Sequence, residues 1–249
     1  MTVALAGCGG AQGAGPEHAC RCAEEGHGHG AHGHGGAHAH GHHRGDAHGH
    51  HHGEGMTHDF SDVSRFEAMF DAPGRAAWQR PVEVVALLGA QPGQTVVDLG
   101  AGTGYFLPYL AAAVGPTGRV VALDSEPAMV AHLQQRAERE GLRVVEARAV
   151  EAEGPGLAPG SADAILIVNT WHHLPERAQY AARLREALRP GGSVLVVDFT
   201  LESEQGPPVA ARIAPEVVGA ELEAGGLAAE IVADESLPDQ YVVRGTRAP

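Results

Sequence analysis

The sequence predicts an α/β domain with a doubly wound, mostly parallel, seven-stranded sheet. Three observations predict it. Apolar runs alternate with helix-like runs along most of the chain, a glycine-rich turn follows the first apolar run, and an aspartate closes the second. At 249 residues the chain has room for one large domain of this kind and is too short for two.

The elements follow in order. Residues 64–88 are helical in pattern, as "SRFEAMF" and "GRAAWQRPVEVVALLGA", with Pro81 placed to open a helix and Gly89 to close it. After the Pro92-Gly93 turn, Thr95 to Leu99 reads as a buried strand, and Tyr105 to Val114 as a helix. Arg119 to Leu123 is a strand, and Pro127 to Glu140 is a helix ended by Gly141. Arg143 to Ala147 and Ala164 to Val168 are strands, Glu176 to Leu188 a helix, and Ser193 to Phe199 a strand. Helix Pro215 to Ala224 and two strands, Leu227 to Ala233 and Gln240 to Gly245, complete the alternation. Repeated strand-helix-strand units imply helices on both faces, with ligands beyond the carboxyl ends of the strands.

The expected organisation is a disordered His/Gly-rich tail over residues 1–58 and a folded domain over 59–249, divided into a helical cap (59–90) and a sheet core (91–249). The tail holds all three cysteines, Cys8, Cys20 and Cys22, so thiol chemistry and disulfides are excluded from the core. Leu5-Ala6-Gly7-Cys8 has the form of a lipobox, but few residues precede it and none is basic; a misplaced start and a chance match both account for it. Fourteen of the 17 histidines lie between His18 and His58, the others being His132, His172 and His173. Cys20, Cys22, His27, His29, His32 and His34 are candidates for diffuse binding of a divalent metal, the alternative being a solvated spacer. A formal charge of −14 with no lysine disfavours a nucleic-acid partner, and no apolar run is long enough to make a transmembrane segment.

"VVDLGAGTGYF", residues 96–106, poses the functional question. A dinucleotide fingerprint needs G-x-G-x-x-G, whereas Gly100, Gly102 and Gly104 form G-x-G-x-G with Tyr105 in the third fingerprint position. A phosphate loop needs a lysine, which the chain lacks. What remains is a turn whose missing Cβ atoms let a ligand approach the backbone, with Asp124 after the next strand able to accept two ribose hydroxyls.

Together, Asp98, the three glycines, Asp124, "ADAILIVNTWHHLPE" and "LREALRPGGSVLVVDF" resemble the motifs of the class I S-adenosylmethionine-dependent methyltransferases, from about Phe60 to the C-terminus. The resemblance implies a Rossmann-like methyltransferase fold, S-adenosyl-L-methionine as cofactor and a small-molecule acceptor. It implies a cofactor site drawn from Asp98, Gly100, Ala101, Gly102, Gly104, Asp124, Ser125, Glu126, Met129 and Asn169, with Glu151 or Glu153 near the adenine. His172 and His173, emerging after the fourth strand, are candidate bases, although a similar run in the family often only holds the loop. Arg75, Trp78 and Arg80 are candidates for covering the site, with Arg75 or Arg80 able to pair with a carboxylate.

Quinone-type phenols or carbons and metalloids are the expected acceptors, with cysteine-dependent arsenite methylation disfavoured by the thiol-free core. A rival reading is an envelope-tethered metal- or ligand-binding protein that keeps the fold with little catalysis. Cofactor supply points to the cytoplasm, and Cys8 to a lipid anchor in the envelope.

Overall fold

The computed structural model describes residues 63–249 except 152, 234 and 235, and all of these fall in one compact unit. The lipobox at Cys8, the tail histidines, Cys20 and Cys22 lie outside the described residues.

Seven helices and seven strands alternate: α1 (Val63–Phe70), α2 (Arg75–Gln79), α3 (Pro81–Leu88), β1 (Thr95–Leu99), α4 (Leu107–Val114), β2 (Arg119–Asp124), α5 (Pro127–Arg139), β3 (Val145–Ala149), β4 (Ala162–Val168), α6 (Arg177–Ala187), β5 (Leu188–Phe199), α7 (Pro215–Ala224), β6 (Ala228–Val232) and β7 (Gln240–Thr246). They form one sheet in the order β3-β2-β1-β4-β5-β7-β6, parallel except for β7, which runs antiparallel to both β5 and β6. The strand order reverses beside β1, so the carboxyl ends of β1 and β4 flank the crevice where ligands of such sheets sit.

Alternation along each strand sorts the core into two layers. Val97, Leu99, Ile165, Ile167, Val194 and Val196 face α6 and α7, where they pack with Tyr180, Leu184, Val218 and Leu222. Val96, Ala164, Leu166, Leu195 and Val197 face the other way, against Val84 and Leu88 of α3, Leu107 and Leu110 of α4 and Leu133 of α5. Each of these larger side chains contributes about 1.5 to 3 kcal/mol by leaving water. Because α3 belongs to this second layer, only α1 and α2 are left to lie over the sheet edge.

Several boundaries differ from expectation for local reasons. The first α/β helix begins at Leu107 instead of Tyr105, because residues 102–106 are still turning and Gly104 has φ +82°. Strand β3 begins at Val145, two residues late, since Leu142 and Val145 are tied into the turn that closes α5. Strand β5 starts at Leu188 and carries the Pro-Gly-Gly segment through an irregularity in its pairing with β4.

Candidate active site

The glycine turn is built against β2. Gly100 N–H and Ala101 N–H both donate to the Leu123 carbonyl, at 2.8 and 3.0 Å. Packing alone excludes a larger residue at two of the glycines: a Cβ on Gly100 would run into the Thr170 side chain, and one on Gly104 would lie 2.8 Å from Leu107 and Leu133. Above Gly102 the Phe70 ring stands 3.7 Å from the would-be Cβ.

Asp98, at the end of β1, is 3% exposed, and its Oδ2 is buried with no hydrogen-bond partner. Burial pushes its carboxyl up to about 7, against the opposing pull of the Arg75 charge. Asp124, at the end of β2, accepts Gly102 N–H at 2.8 Å through Oδ2 and Glu126 N–H at 3.0 Å through Oδ1. Burial raises its pKa as well, opposed by these backbone donors. The helix cap before Pro127 is supplied by Glu126, whose side chain accepts Ala128 N–H at 3.4 Å, so each Asp124 oxygen keeps a lone pair for a further donor.

A covering segment made of α1 and α2 is pinned to this turn. Asp71 accepts from Thr103 Oγ1 at 3.3 Å and pairs with Arg136 of α5 at 2.8 Å, while Arg136 also donates to the Thr103 carbonyl at 2.9 Å. Arg75 donates to the Phe70 carbonyl at 2.6 Å and stacks its guanidinium 4.1 Å from the Tyr105 ring centroid. Burial lowers Arg75 to about 10, which leaves it charged near neutrality. Its Nε is buried without a partner, as is Asp98 Oδ2. Trp78 stacks on Phe199 with centroids 5.6 Å apart, and Arg80 turns outward to Glu83 at 2.7 Å.

The opposite wall follows β4 and β5. Asn169 has φ +52°, which asparagine tolerates, and its carboxamide bonds to Gln79 and Gln240. Residues Trp171–His173 form a short 3₁₀ turn, with Trp171 buried and donating to Glu221 at 2.8 Å. His172 Nδ1 lies 2.8 Å from Asp198 Oδ2, both side chains being about 5% exposed, and Asp198 Oδ1 accepts Phe199 N–H at 2.9 Å. A carboxylate can only accept, so Asp198 sets the tautomer with Nδ1–H and leaves the lone pair on Nε2. His173 is exposed, with its ring centroid 4.1 Å from that of His172.

Beyond β5 the chain folds around Arg212, whose guanidinium donates to the carbonyls of Thr200 (2.8 Å), Ser203 (2.6 Å), Gln205 (2.7 Å) and Pro207 (2.8 Å). Leu201 and Val209 on this loop are exposed.

Of the other predicted residues, Ser125 is exposed, Glu126 caps α5, and Met129 is buried at 1% in its first turn. Glu151 and Glu153 are exposed in the loop after β3. Sequence reasoning missed Asp71, Gln79, Asp198 and Gln240. Asp198 had a readable signal: "VLVVDF" ends an apolar strand on an aspartate, as "VVDL" and "VVALD" do for Asp98 and Asp124.

A Rossmann-like sheet with acidic residues at the ends of β1 and β2 and a glycine turn between them defines a nucleoside-binding α/β domain. Residues 96–192 match a family of methyltransferase domains. A solved S-adenosylmethionine-dependent methyltransferase of Aquifex aeolicus aligns at 28% identity and a TM-score of 0.70, covering 76% of this chain and 99% of that one. Nocamycin O-methyltransferase of Saccharothrix syringae is 34% identical over 133 residues, 52% of this chain and 47% of its own. A ubiquinone/menaquinone biosynthesis C-methyltransferase of Hydrogenovibrio crunogenus is 30% identical over 124 residues, 49% of this chain and 48% of its own. The chain spans about half the length of these two curated relatives. Residues 96–192 therefore belong to a methyltransferase domain family, and the fold is similar to that of the solved S-adenosylmethionine-dependent enzyme.

Proposed function

We propose that the chain transfers the cofactor methyl group to a small acceptor with an ionisable hydroxyl or acidic carbon on an aromatic or quinol ring, with His172 taking the acceptor proton. The observation that carries this reading is the 2.8 Å pairing of His172 Nδ1 with Asp198 at the carboxyl edge of the sheet. A soft sulfur or metalloid lone pair needs no base, whereas a phenol does.

The residues suit the cofactor. Asp98 Oδ2, buried and unpartnered, fits an ammonium, and Arg75 Nε fits a carboxylate. Asp124 would accept two ribose hydroxyls of S-adenosyl-L-methionine, the backbone of Gly100, Ala101, Gly102 and Gly104 would border its methionine portion, and Ser125, Glu126 and Met129 would border the adenine. Asn169 acts on this site from behind, through Gln79. The bound cofactor supplies a methyl group on sulfonium sulfur, already activated for in-line displacement. His172 Nε2 would take up the acceptor O–H proton, while Nδ1–H stays with Asp198. The covering segment excludes water.

The names of two relatives, an O-methyltransferase of nocamycin and a C-methyltransferase of ubiquinone and menaquinone, support an organic acceptor. The test is release of S-adenosylhomocysteine across phenolic, quinol, thiol and metalloid compounds. Turnover confined to phenols or quinols and lost in His172→Gln supports the reading; turnover on thiols or metalloids alone, insensitive to His172→Gln, overturns it. Metal binding by the His/Cys segment is a separate proposal supported by composition, tested by competition with a chromogenic chelator.

A further inference from the structure

Three carboxamides from distant parts of the chain close a ring beneath the covering segment. Gln79 Nε2 donates to Gln240 Oε1 at 2.6 Å, Gln240 Nε2 donates to Asn169 Oδ1 at 2.6 Å, and Asn169 Nδ2 donates to Gln79 Oε1 at 3.3 Å. Gln79 is 0% exposed and Gln240 4% exposed, so each broken link leaves a polar group without water. Arg75 Nη2 also donates to Gln79 Oε1, at 3.1 Å. A guanidinium has no acceptor atom, so this contact fixes which end of Gln79 is oxygen, and the sense of the whole ring follows.

The ring joins three working parts. Gln79 ends the helix that carries Arg75 and Trp78. Asn169, held at φ +52°, begins the turn that presents His172 to Asp198. Gln240 follows Asp239, whose carbonyl accepts Thr200 N–H at 3.1 Å and whose carboxylate accepts Ser203 Oγ–H at 3.0 Å, anchoring the loop around Arg212. From this geometry we infer that Gln79 is a positioning residue, which through the ring sets the covering segment and the His172 turn in a single arrangement. The consequence for turnover rests on the methyl-transfer reading; the coupling of the two segments does not.

Hydrogen exchange on the full chain saturated with S-adenosylhomocysteine tests the coupling. In Gln79→Met, which keeps the side-chain length, residues 63–80 and residues 169–174 should both exchange at least tenfold faster, while β1 and α6 keep their protection. Faster exchange confined to residues 75–81, or spread evenly over the domain, overturns the inference. Gln240→Met breaks the ring from β7 without altering any residue of α2 and must give the same two-segment pattern; its absence there also overturns the inference.

Turnover on the best acceptor supplies an independent readout. Gln79→Met should lower kcat about tenfold, and adding it to His172→Gln should produce little further loss, because both act on the same group. Additive losses refute the positioning role. An inert His172→Gln with the two-segment exchange pattern intact would instead refute the base and leave the ring standing.

Discussion

Acidification should weaken cofactor binding through Asp98. Burial holds this carboxyl near 7, so about half of the cofactor-free protein carries its proton at that pH. An ammonium seated against Asp98 favours the carboxylate, and binding in the acid range must therefore expel the proton. One unit below the midpoint roughly one molecule in eleven is ionised, so affinity for S-adenosylhomocysteine should fall about tenfold between about pH 8 and about pH 6, some 1.4 kcal/mol. Titration calorimetry in two buffers of different ionisation enthalpy should record close to one proton released per site near the acid end. Asp98→Asn should bind more weakly at about pH 8 and show no such slope. A flat affinity without proton release in the wild type would refute the assignment of Asp98 to the ammonium. For the cofactor-free fold, the native carboxyl keeps its proton to about 7 and the unfolded one only to about 3.8, so the group's stabilising contribution is present below 3.8 and lost as pH rises through 7.

Asp124→Ala should weaken S-adenosylhomocysteine binding roughly ten- to a hundredfold by calorimetry, since it removes the proposed ribose acceptor and also frees Gly102 N–H. His172→Gln should lower turnover about a hundredfold with cofactor affinity nearly unchanged, and Asp198→Asn should follow it, because an amide no longer fixes the Nδ1–H tautomer. Gly104→Ala should lower stability by about 1 to 3 kcal/mol in denaturant melts, the new Cβ meeting Leu107 and Leu133 at a backbone angle of φ +82°.

The sheet was legible because its strands are apolar runs bounded by turns, and β1 and α7 match their expected limits. The glycine turn was legible because three glycines and two strand-ending aspartates sit close together in the chain. The carboxamide ring was not: positions 79, 169 and 240 are too far apart for any periodicity to link them, and a buried glutamine carries no pattern of its own. Asp198 lay between these cases, visible as the last polar residue of an apolar strand, but its partner emerged only when the Trp171–His173 turn placed His172 against it. The glycines were recognised as necessary, yet the neighbours that require two of them, Thr170 and the Leu107–Leu133 pair, come from folding at a distance.

Arg212 holds its loop entirely by main-chain oxygens, those of Thr200, Ser203, Gln205 and Pro207 among them. Such a grip makes no demand on the side chains attached to those carbonyls. Leu201, Glu202, Glu204 and Val209 can therefore be exchanged without dismantling the frame that presents them. The loop's backbone course and the sequence it displays are thus set independently, the one by Arg212 and the other by whatever those four positions carry.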